Sequence, residues 1–322
     1  MKKILAYRFS AFGDVAMIVP VLKEFLAQNP DTEIVFVSRK NFADLFDGVE
    51  RLTFRGVNLD DYKGVFGLRK LTKELNKEYN PKYVADLHDV LRSKILTILF
   101  KLRRKKTATL DKGRTEKKQL TRKENKIKNP LKPTTERYAD VFRKLGFTLK
   151  LSHQLIPKSQ QKSGIGFAPF AQHEGKMLPI EKSLDLVKVL SQKNEVLLFG
   201  GGKKEVDVLS KWEQELENVT SLAGKLSLKE ELKKIAELEV MISMDSANMH
   251  LASLVGTRVV SVWGATHYFA GFLGYGQSEN DIVEIKNLEC RPCSVFGNKP
   301  CYRGDYACLN QIEIPEILKK IE

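Results

Sequence analysis

No apolar stretch in this 322-residue chain approaches the eighteen or so residues needed to cross a bilayer; a candidate such as Ile95-Leu-Thr-Ile-Leu-Phe100 falls far short. The start, Met1-Lys-Lys-Ile-Leu-Ala-Tyr7, lacks the sustained apolar region and small-residue cleavage site of a secretory signal, and reads as a first strand. Cysteine is scarce and confined to the end, at Cys290, Cys293, Cys301 and Cys308. The spacing C-x2-C-x7-C-x6-C opens with a pair suited to zinc, but the rest fits no zinc signature. Zinc thiolates and reduced, packed thiols both stay open, and no metal is assigned. Also missing are G-x-G-x-x-G with its acid about twenty residues on, which argues against a dinucleotide dehydrogenase, and a Walker loop. The expectation is a cytosolic protein that at most touches the inner face of the membrane, with no disulfides in that reducing compartment.

What is present is positive charge, unevenly spread. Residues 101–132 hold fourteen Lys/Arg against three Asp/Glu, a net +11 of the whole chain's +14. A nucleic-acid footprint would interleave aromatics and bring a reader motif, and this segment has neither. Lys94-Ile-Leu-Thr-Ile-Leu-Phe-Lys-Leu-Arg-Arg-Lys-Lys106 instead sets apolar residues just before cations, as a peripheral contact with anionic lipid would.

Apolar strand-like runs alternate with amphipathic helical ones in two successive series. Strands are expected at 3–7, 33–37 and 83–87, then at 164–168, 195–199, 240–243 and 258–262. Helices fill the intervals, at 15–28, 180–191, 204–216, 228–236 and 249–255. This rhythm predicts an α/β chain of two Rossmann-like domains facing each other across a cleft, residues 1–157 with the basic segment 101–132, and residues 158–322. The polar linker beginning Ile156-Pro-Lys-Ser marks the boundary.

Ligands of such sheets bind at the carboxyl ends of strands, so the loops there are the candidates. After the first strand comes Ser10-Ala-Phe-Gly13-Asp14, where a carboxylate at Asp14 can take a proton from a sugar hydroxyl or simply cap a helix. After later strands come Lys176, able to neutralise a diphosphate, and Glu205 beside Gly200-Gly-Gly202, able to accept from ribose hydroxyls. The segment Asp245-Ser246-Ala247-Asn248-Met-His250 puts an acid, a helix N-terminus and a histidine together.

Ser10-Ala-Phe-Gly-Asp14-Val with Pro20, and Asp86-Leu-His-Asp-Val-Leu-Arg92-Ser93, resemble the amino-terminal signatures of glycosyltransferase family 9, the ADP-heptose:lipopolysaccharide heptosyltransferases. Lys176 to Pro179, Leu222 to Leu228, Asp245 to Ala252 and Trp263-Gly-Ala-Thr266 resemble its carboxy-terminal ones. The resemblance implies a GT-B fold and inverting, metal-independent transfer from a nucleotide sugar, with ADP-heptose as co-substrate and no resident cofactor. It implies Asp14 as general base, and Ser10, Gly13 and Arg92 as contacts to a lipopolysaccharide inner-core or lipid A precursor acceptor. Lys176, His250 and the backbone at Ser246, Ala247 and Asn248 would face the diphosphate, Asp245 the sugar hydroxyls, and Glu205 the ribose. The family usually has Gly-Pro where this chain has Ala247-Asn248, and tryptophan where it has Leu178, departures that bear on the donor sugar. The rival expectation is a non-catalytic basic protein holding nucleic acid or anionic lipid through residues 101–132.

Overall fold

The computed structural model describes residues 1–160 and 162–321 and divides by internal contacts into two units. The first comprises Met1–Gly113 and Lys132–Ser152; the second, Arg114–Leu131 and His153–Glu322. The division cuts the basic segment. Residues 101–113 belong to the first unit, whereas 114–131, expected in the first half, group with the second. Local packing gives the reason: Lys117 lies 4.1 Å from the ring centre of Phe272, and the Leu131 N–H donates to the Phe269 carbonyl at 2.8 Å.

The first unit is built on five parallel strands: β1 (Lys2–Tyr7), β2 (Thr32–Arg39), β3 (Leu52–Val57), β4 (Tyr83–Asp86) and β5 (Lys106–Thr109). Their order is β3-β2-β1-β4-β5, with Ile4 opposite both Ile34 and Tyr83. A parallel sheet is covered on both faces, so its central strands are apolar throughout rather than alternating. Leu5 and Tyr7 of β1 join Val35, Val37 and Val84 in a core with the helices Gly64–Tyr79 and Leu91–Leu102. The ring of Phe25 in the helix Ile18–Gln28 packs, tilted by 32°, at 4.6 Å from that of Phe142 in the helix Thr134–Lys144. The continuous helix expected over 15–28 is two pieces, Phe12–Ala16 and Ile18–Gln28.

The second unit holds six parallel strands: β6 (Ile165–Ala168), β7 (Val196–Leu198), β8 (Val219–Ser221), β9 (Val240–Met244), β10 (Arg258–Trp263) and β11 (Ile282–Glu284). Their order is β11-β10-β9-β6-β7-β8. Helices Ile180–Ser191, Lys203–Glu215, Leu228–Glu237 and Ala247–Val255 connect them. Ser227 and Glu230 form a reciprocal cap at the start of one, the Ser227 hydroxyl accepting from the Glu230 N–H while the Glu230 carboxylate accepts from the Ser227 N–H at 2.8 Å. Both sheets have the Rossmann winding, in which strand order reverses once, between β1 and β4 and between β6 and β9.

Gly256 ends the helix Ala247–Val255 in left-handed backbone at φ +75°, and a Cβ there would overlap the Ile156 carbonyl. Gly256→Ala is therefore expected to lower the urea midpoint, with about 1–3 kcal/mol lost to the backbone conformation alone. A midpoint equal to that of the parent chain would contradict this packing.

Candidate functional site

Each reversal point gathers chemistry-bearing side chains. In the first unit the chain leaves β1 at Arg8, which is 5% exposed. Its guanidinium donates to the Leu87 carbonyl at 2.7 Å, reaches the Asp14 carboxylate at 2.7 Å, and lies 5.6 Å from the ring centre of Tyr138. Burial opposes the Arg8 charge, but Tyr138 and Asp14 outweigh it and hold its pKa above the ordinary value. Asp14 also accepts from the Ala11 N–H at 3.2 Å, and its carboxylate remains 24% exposed. It thus caps the helix Phe12–Ala16 and keeps an accessible edge at the same time. Gly13 beside it lies in this helix without a positive φ, so no special backbone freedom is used there.

The loop after β4 supplies the facing groups. Buried Asp86 accepts from the His88 and Asp89 N–H groups at 2.9 and 3.0 Å, which fixes the turn. Burial raises its pKa, against the pull of those bonds. His88, 7% exposed, meets the Ser10 hydroxyl through Nε2 at 3.3 Å, while its buried Nδ1 has no hydrogen-bond partner among the described residues. Burial first, then Arg8 and Lys112, push the imidazole down to about 3, so it is neutral at physiological pH. Arg92, in the first turn of Leu91–Leu102, is half-buried and adds to that positive field. Ser10, Asp14 and Arg92 therefore share one strand-end cluster, in which Arg8 and His88 are equal participants that sequence reasoning missed.

In the second unit, Lys176 Nζ lies 2.9 Å from Asp245 Oδ2, which also accepts from the Thr266 hydroxyl at 2.8 Å. Asp245 is 4% exposed. Gly297, at φ +73°, lies so close to the Lys176 stem that a Cβ would collide with it. Ser246 occupies the N-cap of Ala247–Val255 but makes no side-chain cap; its hydroxyl instead meets that of Ser243 at 3.3 Å. The half-buried turn at Ser246, Ala247 and Asn248 thus starts a helix whose N-cap side chain makes no cap bond, a helix N-terminus suited to an anion. His250, one turn in, is 7% exposed.

In the same unit a cavity of about 580 Å³ opens between Phe170, Met177, Leu178, Val208 and Leu309, with Glu174 and Glu205 among its polar groups. Glu205 sits in the first turn of Lys203–Glu215 and accepts from the Gly201 N–H at 2.8 Å. Arg291, 2% exposed, donates to the carbonyls of Trp263, Gly264 and Thr266, tying the segment that carries the cysteines to the loop after β10. All four cysteines are free thiols, and burial pushes Cys308 up to about 12. Among the described residues no group of three or more His, Cys, Asp or Glu is placed to hold a metal ion.

The model of glycosyltransferase family 9 (heptosyltransferase) matches residues 68–299. Lipooligosaccharide heptosyltransferase 2 of Campylobacter jejuni serotype O:2 is 26% identical over 330 residues, covering 99% of this chain and 97% of that protein. Its serotype O:6 counterpart is 27% identical over 184 residues, 56% of each. The structure of E. coli ADP-heptose LPS heptosyltransferase II superposes with a TM-score of 0.68 at 18% identity, covering 100% of this chain and 97% of that one. The twin Rossmann-like units are those of the GT-B fold.

The depressed imidazole at His88 makes a pH-dependence prediction. Between its ordinary pKa of about 6.5 and the folded value of about 3, the unfolded chain binds a proton that the folded chain refuses. Stability should therefore fall as pH drops from about 6.5, by about 2 kcal/mol at pH 5 from this group. His88→Gln should flatten that part of the profile in chemical melts at pH 7 and 5; an unchanged slope would refute it. With the family model matching most of its length, this protein belongs to glycosyltransferase family 9 and is a glycosyltransferase.

Proposed function

We propose that the enzyme transfers a heptose from ADP-heptose to the inner core of lipopolysaccharide, at the cytoplasmic face of the membrane, inverting the anomeric centre without a divalent cation. The second unit would bind the donor and the first the acceptor. The observation that carries this reading is Lys176, which pairs with Asp245 just before the helix Ala247–Val255 and lies in sequence between Glu174 and Met177, two residues lining an apolar cavity that also bears Glu205. Its volume lies in the range of small-molecule sites, and its apolar walls suit a nucleobase while Glu205 suits ribose hydroxyls. The likeness to a heptosyltransferase whose structure is described as acting with ADP-heptose supports the donor, and the lipooligosaccharide relatives support the acceptor.

In the proposed reaction Asp14 accepts the proton of the acceptor hydroxyl as its oxygen bonds to the anomeric carbon. The bond from that carbon to the diphosphate breaks on the opposite face, and its electron pair leaves with the diphosphate. Arg8, paired with the Asp14 carboxylate at 2.7 Å, holds it aimed. Neutral His88, through Ser10, and Arg92 would orient the acceptor. Lys176, His250 and the N–H groups of Ala247 and Asn248 take up the charge that develops on the leaving group, the part a divalent cation plays elsewhere. Asp245, already fixed by Lys176 and Thr266, is placed to accept from sugar hydroxyls.

Asp14→Asn should lower turnover about 10²–10⁴-fold while ADP binding stays within twofold. Transfer should survive excess EDTA, and product NMR should show an inverted anomeric configuration. Full turnover by the Asp14 variant would remove it as base. Loss of activity in EDTA restored by one metal would refute the metal-free step. Thermal stabilisation by UDP or GDP but not ADP would refute the donor and leave transfer standing.

A further inference from the structure

Two helices of the first unit lie side by side on one face of the sheet, packed against each other and sharing a core through Leu68, Leu71, Leu75, Leu96 and Phe100. On Leu91–Leu102 the exposed positions are Leu91, Lys94, Ile98, Lys101 and Leu102, and at 3.6 residues per turn they fall within an arc of roughly 100°. Leu91 is 77% exposed, Ile98 57% and Leu102 75%, so this helix turns three large apolar side chains to solvent instead of to the core. It contains no acidic residue.

Its neighbour repeats the pattern. Val65 and Phe66, in the first turn of Gly64–Tyr79, are 58% and 85% exposed. Behind Phe66, on the same side of the helix, follow exposed Arg69, Lys70, Lys73 and Lys77. Of the cations on the two arcs, Lys94 pairs with Asp89 at 3.3 Å and is still 52% exposed, and Lys70 lies 5.7 Å from the Tyr62 ring centre. The Leu102 end runs on into Arg103, Arg104 and Lys105.

We propose that this two-helix face seats the enzyme on an anionic lipid surface, with Phe66, Leu91, Ile98 and Leu102 entering the interface and the flanking cations meeting headgroup phosphates. Charge complementarity selects that occupant: apolar side chains interleaved with cations, and without an acid on either arc, fit a layer that is apolar inside and negative at its surface. A second copy of this chain would bring the same positive face and repel it. The inference rests on the reading that the acceptor is a membrane lipid, and it goes beyond the linear run at 94–106 by adding the helix Gly64–Tyr79 and by naming the side chains that insert. Both helices start at the carboxyl ends of their strands, β3 and β4, the edge of the sheet that also carries Ser10, Asp14 and His88. Seating by this face would bring a membrane-anchored acceptor to that edge.

The test uses the full-length protein and vesicles of phosphatidylglycerol mixed with phosphatidylcholine, against phosphatidylcholine alone, measured by co-sedimentation. Two variants are compared with the parent: Phe66→Ser with Leu91→Ser, Ile98→Ser and Leu102→Ser, and separately Arg69→Gln with Lys73→Gln and Lys101→Gln. Turnover on a soluble, delipidated acceptor is followed in parallel. The expected result is binding to the anionic vesicles that drops at least tenfold in each variant and weakens with salt in the parent, while soluble turnover stays within twofold. Parent protein that ignores both vesicle types, binding that survives both variants, or binding lost only when Arg122, Lys123 and Lys126 are changed would each overturn the proposal. A parent dimer that both variants dissolve would do the same and assign the face to self-association. Absence of transfer to any lipopolysaccharide acceptor, with vesicle binding intact, would strike the functional reading and leave this surface standing.

Discussion

A parallel sheet that winds outward from its centre in both directions leaves a gap at one place only, where the connecting helices part to opposite faces. The two candidate ion pairs of this protein follow the strands at these places, β1 beside β4 and β6 beside β9. The gap is where backbone N–H groups and strand-end side chains are left without neighbours from the sheet. It is also where a charged side chain can be nine-tenths buried and still face a ligand.

Both places answer the constraint with the same device, a cation held against a carboxylate. Arg8 and Asp14 meet at 2.7 Å in one unit, Lys176 and Asp245 at 2.9 Å in the other. Removing one partner from such a pair leaves the other charge buried and uncompensated, which costs far more than the pair contributes to folding. The surrounding bonds serve orientation: Leu87 fixes Arg8, Thr266 fixes Asp245, and Gly297 leaves Lys176 a channel that admits no side chain. These residues hold the two ion pairs in one geometry, and a preset geometry is the general requirement for stabilising charge that develops in a transition state.

The alternation of apolar runs was enough to find every interior strand of both sheets, because burial on two faces leaves an unmistakable Val, Ile and Leu signature. The four strands it did not reveal, β3, β5, β8 and β11, are all at sheet edges. Lys106-Thr-Ala-Thr109 and Val219-Thr-Ser221 carry too few apolar residues to register as strands at all. The site followed the same logic. Asp14, Lys176 and Asp245 were legible from their positions after strong strands. Arg8 and Thr266 were not, since a cation or a hydroxyl gains its meaning from a partner distant in sequence, six and twenty-one residues away here. That the Ser246 hydroxyl meets Ser243 and makes no cap bond to its own helix is likewise something no sequence pattern encodes.

Those modest edge strands also shape how the molecule meets others of its kind. An unpaired strand offers a ladder of amide and carbonyl groups to any passing chain, and long flat ones invite runaway stacking. Here three of the four outermost rungs are brief, three residues in β8, three in β11 and four in β5 with a lysine at its start, while the fourth, β3, runs for six and carries Arg55. A crowd of identical molecules gathered on one surface would find little backbone on which to zip together except along β3.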